Sequence, residues 1–145
     1  MTSKGSDHDP YDLQHFVLAQ DRVFDHVLSE LRAGMKTSHW MWFIFPQIRG
    51  LGRSPISLEY AISSREEARA YLQHPILGPR LKECTRLVLG VQGRAVEDIF
   101  GSPDDMKFRS SMTLFAQVSP EDDIFQRALE KYFAGVPDQL TLDRL

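Results

Sequence analysis

The segment Lys36–Tyr60, KTSHWMWFIFPQIRGLGRSPISLEY, decides how the rest of the chain is read. Its run of large apolar residues from Trp40 to Phe45 fits either a short buried helix or a buried strand, because periodicity does not separate the two at this length. A strand needs a partner, and no other run in the chain alternates clearly enough to supply one. The helical reading is therefore preferred, and with it an all-helical protein. Pro46 ends the element, since its ring and missing N–H oppose continuation. Gly50, Gly52 and Pro55 then mark an irregular loop that carries Arg49 and Arg53.

Upstream of this segment, Asp9-Pro10 is a helix start, with a capping carboxylate followed by a proline preset for the first turn. Leu13, Phe16, Val17, Phe24, Val27, Leu28 and Leu31 recur at three- and four-residue steps and predict one long helix closed by Gly34. Gln20 falls inside that apolar stripe, where a buried amide needs partners, and is expected either to brace a neighbouring backbone or to line a pocket. Downstream, Ser64 and Glu67 form a capping box for a helix to about Gln73, and another runs from Pro79 to about Val91. Ala95–Phe100 is a short helix. Ser102-Pro103-Asp104-Asp105 opens a helix with Phe108, Met112, Phe115 and Ala116 as its buried stripe, and Ser119-Pro120 opens one that reaches Gly135. Asp138–Leu145 adds a turn. The expectation is an all-α, mainly helical, compact single-domain bundle of about five to seven helices over residues 9–145, after a disordered tail at 1–8.

The 145 residues suffice for one well-buried core without a metal or disulfide. With 17 basic and 20 acidic residues the net charge is −3, so nucleic acid is an unlikely partner. Cys84 is the sole cysteine and sits among Leu81, Leu87 and Val88, which points to a buried thiol in a reducing compartment. No apolar run approaches the roughly 20 residues that span a bilayer, and the polar N-terminus has no apolar signal segment, so a cytoplasmic protein without a membrane partner is expected. His39 has no companion at metal-ligand spacing, and no cofactor fingerprint is present. Oligomeric state is left open.

Two blocks hold the residues from which a site could be built. In the first, Trp40 and Trp42 offer flat faces for a planar ligand, while Arg49, Arg53, Ser54, Ser57 and Gln47 offer donors to an anion. His39 and Glu59 are its candidates for proton transfer. In the second block, Lys107 and Ser111 share a helix face one turn apart, with Arg109 and Ser110 beside them. An ammonium next to a hydroxyl can hold phosphate, or activate the hydroxyl if burial lowers the lysine pKa, which makes Lys107 a catalytic candidate too. A fold that joins the blocks would bind a small anionic, nucleotide-like or phosphorylated ligand, with hydrolysis of a glycosidic or phosphate bond as the associated chemistry. The competing reading is a non-catalytic interaction module, in which the tryptophans are core or partner surface and Asp104–Lys107 is a surface ion pair.

SHWMWFIFPQ at 38–47, GLGRSPIS at 50–57, HPILGPRL at 74–81, and IFG followed by DDMKFRSSMTLF at 104–115 together resemble the bacterial family catalogued as domain of unknown function 1810. The Leu-x-x-Phe-x-x-Ala-Gln pattern from Leu13 to Gln20 and the closing Asp138-x-x-Thr-Leu are similar as well, so the resemblance covers about Asp9 to Leu145. It implies a small helical single-domain protein and supplies no established activity. Some members carry a calpastatin label, that of an extended, disordered protease inhibitor, whereas the repeated apolar helix faces of this chain imply a folded core. A fainter similarity, of fold and flavour rather than of aligned residues, is to N-glycosidases related to ADP-ribose processing.

Overall fold

The structure is a computed structural model that describes residues 9–145, so the tail expected at 1–8 lies outside the described residues. Residues 9–34 form two helices instead of the single one expected, α1 Gln14–Asp21 and α2 Phe24–Ala33. Asp9 does act as a cap, its carboxylate accepting from the Leu13 and Gln14 N–H groups at 2.6 and 2.9 Å. Asp12, however, takes a φ of 54°, so regular helix begins only at Gln14. Val23, with φ −130° and ψ −1°, then leaves the helical region and divides the apolar stripe between two axes. Gly34 closes α2 in the left-handed conformation its position suggested.

Trp40–Phe45 is helical, as a single turn, α3 Met41–Ile44, with Met41, Phe43 and Ile44 buried. Beyond Pro46 the chain forms a loop pinned by one parallel bridge between Ile48 and Ile62. The Arg49 N–H donates to Ile62 O and the Ile62 N–H to Gln47 O, both at 2.8 Å. The chain continues through α4 Pro55–Glu59 and α5 Arg65–Gln73, the latter capped by Ser64, whose Oγ accepts from Glu67 N–H at 3.1 Å. Next come α6 Leu77–Gly90, α7 Val96–Phe100, α8 Asp104–Val118, α9 Ile124–Phe133 and α10 Gln139–Asp143. The described residues therefore form ten helices, more than the five to seven expected. Division of the first helix and the five-residue elements α4 and α10 account for the surplus over seven.

α8 is the axis of the fold, packed against α5, α7, α9 and α10. Its sequence reads as an amphipathic stripe, yet Phe108 and every residue from Ser110 to Phe115 are buried. Phe108 meets Phe45 edge-on at 5.0 Å and stacks on Phe100 at 4.8 Å, while Phe115 lies 5.5 Å from Tyr71. Gln20 is the brace its position allowed. Its Nε2 donates to Phe43 O at 2.7 Å and to the Tyr71 hydroxyl at 3.0 Å, and its Oε1 accepts from Arg80 at 3.3 Å. Cys84 is also buried, and burial pushes its thiol up to about 12.

Full burial obliges the hydroxyls of α8 to find partners within the protein. Ser110 Oγ donates to Met106 O and to Asp138 Oδ2, both at 3.1 Å, and Thr113 Oγ1 donates to Arg109 O while accepting from the Asp138 N–H at 2.9 Å. Asp138 also caps α10, accepting from the Thr141 N–H at 3.1 Å and from Thr141 Oγ1 at 2.6 Å. One carboxylate thus fastens the C-terminal turn to the central helix. Asp138→Ala is expected to cost about 1–3 kcal/mol, because it removes a cap and leaves Ser110 and Thr141 short of an acceptor. Urea denaturation measures this, and a change below about 0.5 kcal/mol would show that the clasp contributes nothing.

Candidate functional site

The Gly50–Gly52 loop is held close to two side chains. A Cβ at Gly50, where φ is 101°, would lie 2.5 Å from Arg144 Nη1, and one at Gly52 would lie 2.7 Å from both Cβ and Oγ of Ser57. Glycine is needed at both positions so that a guanidinium and a hydroxyl can sit against the backbone. Ser57 Oγ in turn accepts from Ser54 Oγ at 2.8 Å. Together with Trp42, Gln47 and Tyr60, the two glycines and Ser57 line a tight cleft of about 10 Å³. That is room for about one water. A larger ligand needs movement of the loop or of Trp42, or else lies across the rim.

Tyr60 stacks on His15 at 5.0 Å with the rings 5° apart, and His15 Nε2 donates to Glu59 O at 3.0 Å. Burial raises the Tyr60 phenol pKa above its usual value, and the neighbouring Glu59 carboxylate adds to this.

The second block reaches the same place through one residue. Lys107 Nζ lies 5.0 Å from the centroid of the Trp42 ring, a cation–π contact that joins α8 to the cleft wall. Lys107 is also 3.3 Å from Asp104 Oδ1, and Asp104 Oδ2 is 2.8 Å from Lys36 Nζ. Lys36 Nζ lies 5.1 Å from the Trp40 ring centroid. The two tryptophans of the chain therefore each carry an ammonium, and both ammoniums close on one carboxylate.

The expected site residues divide on this geometry. Trp42, Gln47 and Ser57 line the cleft, Lys107 lies over Trp42, and Ser54 is bonded to Ser57. Arg49, Arg53, Glu59 and His39 do not line it, and all four are exposed. Trp40 is fully buried and donates its Nε1–H to Glu30 Oε1 at 2.9 Å, so its face is not free to stack a ligand. Arg109 points away from the block it was grouped with, donating from Nε to Val136 O at 3.0 Å and lying over Phe133. Ser110 faces Asp138. Ser111 shares the Lys107 face but is fully buried, and its Oγ has no hydrogen-bond partner among the described residues.

Sequence patterns alone did not reveal Lys36, Asp104 as a shared acceptor, or Arg144. Asp104 was visible as a helix-start acid and as a partner for Lys107 but not for Lys36, and nothing local in the sequence ties Arg144 to Gly50. Larger hollows lie elsewhere, among them one of about 740 Å³ beside Tyr11 and His74 and another of about 500 Å³ between α6 and α9. The latter mixes Arg86 and Arg127 with Asp122 and Lys82, which already pair at 3.2 Å. Among the described residues no group of three or more His, Cys, Asp and Glu is arranged to hold a metal ion.

Trp40 is fixed by Glu30, whose carboxylate also accepts from the Thr37 and Ser38 N–H groups at 2.9 and 3.2 Å and from Ser38 Oγ. Burial would raise the Glu30 pKa, but these hydrogen bonds from Ser38, Thr37 and Trp40 together outweigh it and hold the carboxyl at about 2, below its ordinary 4.5. A lowered folded-state pKa contributes stability that is present above pH 4.5 and is lost as the pH falls toward about 2. Glu30→Gln is therefore expected to flatten the acid limb of a stability-against-pH curve within that window, as followed by circular dichroism. An unchanged limb would assign the acid loss to other groups.

The serines offer a second test, because adjacent hydroxyls on α8 predict different effects. Ser110→Ala removes satisfied bonds and is expected to destabilise by about 0.5–1.5 kcal/mol. Ser111→Ala removes a buried hydroxyl without an acceptor and is expected to leave the unfolding midpoint unchanged or raise it. A clear fall for Ser111→Ala would mean that a water or ligand satisfies that oxygen.

Fold and site together define an all-helical protein whose cleft is lined by Trp42 and a glycine loop, with Lys107 of the central helix over the Trp42 ring. The chain belongs to the family described as protein of unknown function (DUF1810), whose profile matches residues 10–145. It is similar to the conserved hypothetical protein Rv1873 from Mycobacterium tuberculosis, known from a crystal structure at 1.38 Å. The two are 58% identical with a TM-score of 0.94, covering 94% of this chain and 98% of that one. No curated protein matches the chain at a significant level. Among the described residues no helix is long and apolar enough to cross a membrane.

Proposed function

We propose that the protein binds a small anionic ligand with a planar part, nucleotide-like or phosphorylated, at the mouth of the Trp42 cleft. The observation that carries this reading is the Lys107–Trp42 contact, which joins the two blocks of polar residues at one half-buried indole. Trp42 supplies the flat face, Gln47 and Ser57 supply polar contacts, and Lys107 draws the anionic group, with Arg49, Arg53 and Ser54 at the rim. Of the two first-block residues expected to move a proton, Glu59 rather than His39 is next to a cleft-lining side chain, Tyr60, and is the general acid or base this reading would use for glycosidic or phosphate-bond hydrolysis.

The alternative of a pure interaction module calls for a continuous apolar surface. The large exposed apolar side chains are Leu18, Met35, Leu58, Ile76, Met106, Val136 and Leu140, of which Met106 and Leu140 lie on the helices α8 and α10 that pack together.

Isothermal titration calorimetry with AMP, ribose 5-phosphate and adenosine tests the reading. AMP is expected to bind, and Lys107→Met and Trp42→Ala are each expected to weaken it by about tenfold, the effect of losing one charge contact or one stacking face. Absence of binding by every probe at millimolar concentration, or full retention of AMP affinity in Lys107→Met, overturns it.

A further inference from the structure

We propose that Lys36 and Asp104 are positioning residues for this site, acting on ligand affinity by setting how much of the Lys107 charge is left free. The inference rests on the reading that an anion binds beside Trp42, and it goes further in naming what makes that position attractive to one.

Asp104 is shared unequally. Its contact with Lys36 is the shorter, 2.8 Å against 3.3 Å for Lys107, and the Lys36 side chain is only 7% exposed where that of Lys107 is 24% exposed. A nearly buried ammonium with one carboxylate beside it cannot give that partner up cheaply. Lys107 is the looser claimant, closer to solvent and resting on the face of Trp42.

One carboxylate against two ammoniums leaves one positive charge unneutralised, and the geometry assigns most of it to Lys107. Glu30 is the acid bonded to Trp40, and its oxygens are taken by neutral N–H and O–H donors of Thr37, Ser38 and Trp40. Among the described residues it forms no ion pair with Lys36. The indole rings against the two ammoniums add no opposing formal charge. Were Lys36 absent, Asp104 would pair with Lys107 alone and the edge of Trp42 would be close to neutral. Lys36 therefore matters to an anion that it does not touch.

Such sharing requires two substitutions to act in opposite directions, which a merely structural role would not produce. In calorimetry on the full chain with AMP as the charged probe and adenosine as the neutral one, Lys36→Met is expected to weaken AMP about fivefold and Asp104→Asn to strengthen it about fivefold, roughly 1 kcal/mol each way. Adenosine affinity is expected to stay within about twofold in both. If Asp104→Asn does not fold, Lys36→Arg replaces it, since it keeps the charge and is expected to retain the AMP affinity that Lys36→Met loses. Shifts of the same sign in Lys36→Met and Asp104→Asn, equal losses in Lys36→Met and Lys36→Arg, or equal changes for AMP and adenosine overturn the positioning role while leaving the anion site standing. A wild-type chain that binds no AMP overturns both.

Discussion

The structure depends on burying α8 from all sides. Helices of small proteins usually keep one face in water, and a sequence with Ser110, Ser111 and Thr113 in mid-helix reads as though it does the same. Here α5, α7, α9 and α10 surround it, so no face is left for solvent over residues 110–115. Small hydroxyl side chains let the neighbouring helices come close, and in exchange each polar atom must be matched within the protein. Two are matched through Asp138 or the helix's own carbonyls, and the third, Ser111, is not. The C-terminal turn is part of this arrangement, because it brings the acceptor that the buried helix lacks.

Burial of the centre also explains where chemistry is left to occur. Near the N-terminal end of α8, where burial is less complete, Asp104 and Lys107 meet Lys36 and the two tryptophans. Trp40 and Trp42 are two positions apart at a single helical turn and so point to different sides, one to the core and Glu30, the other to the cleft. Their chemistry is similar, and their roles are separated by geometry alone. The glycines of the neighbouring loop then fix how near Ser57 and Arg144 can approach.

Much of this was legible in the sequence. Absence of a strand partner decided the helical state of Trp40–Phe45, Gly34 and Ser64 marked real boundaries, and an amide in an apolar stripe marked Gln20 as a candidate brace. The Lys107–Ser111 face was also readable, since residues four apart on a helix lie together. Arg109 and Ser110, set off by the turn of roughly 100° per residue, belong to another side, and grouping them with Lys107 ignored that rotation. The break at Val23 has no proline or glycine to announce it, and the apolar stripe runs through it without interruption. The burial of Trp40 depended on Glu30, an acid on a different helix that looked like any solvated one. Pairings over long sequence distance, such as Arg144 with Gly50, leave no periodic trace.

The unequal surroundings of the two indoles have an optical consequence. Trp40 emits from a dry core with its N–H tied to a carboxylate, whereas Trp42 emits from a half-buried wall with an ammonium over its ring. Intrinsic fluorescence therefore has two components that respond to different events, one to loss of the fold and the other to changes at the cleft. The protein carries a reporter of its own site and, within the same short segment, an internal reference for it.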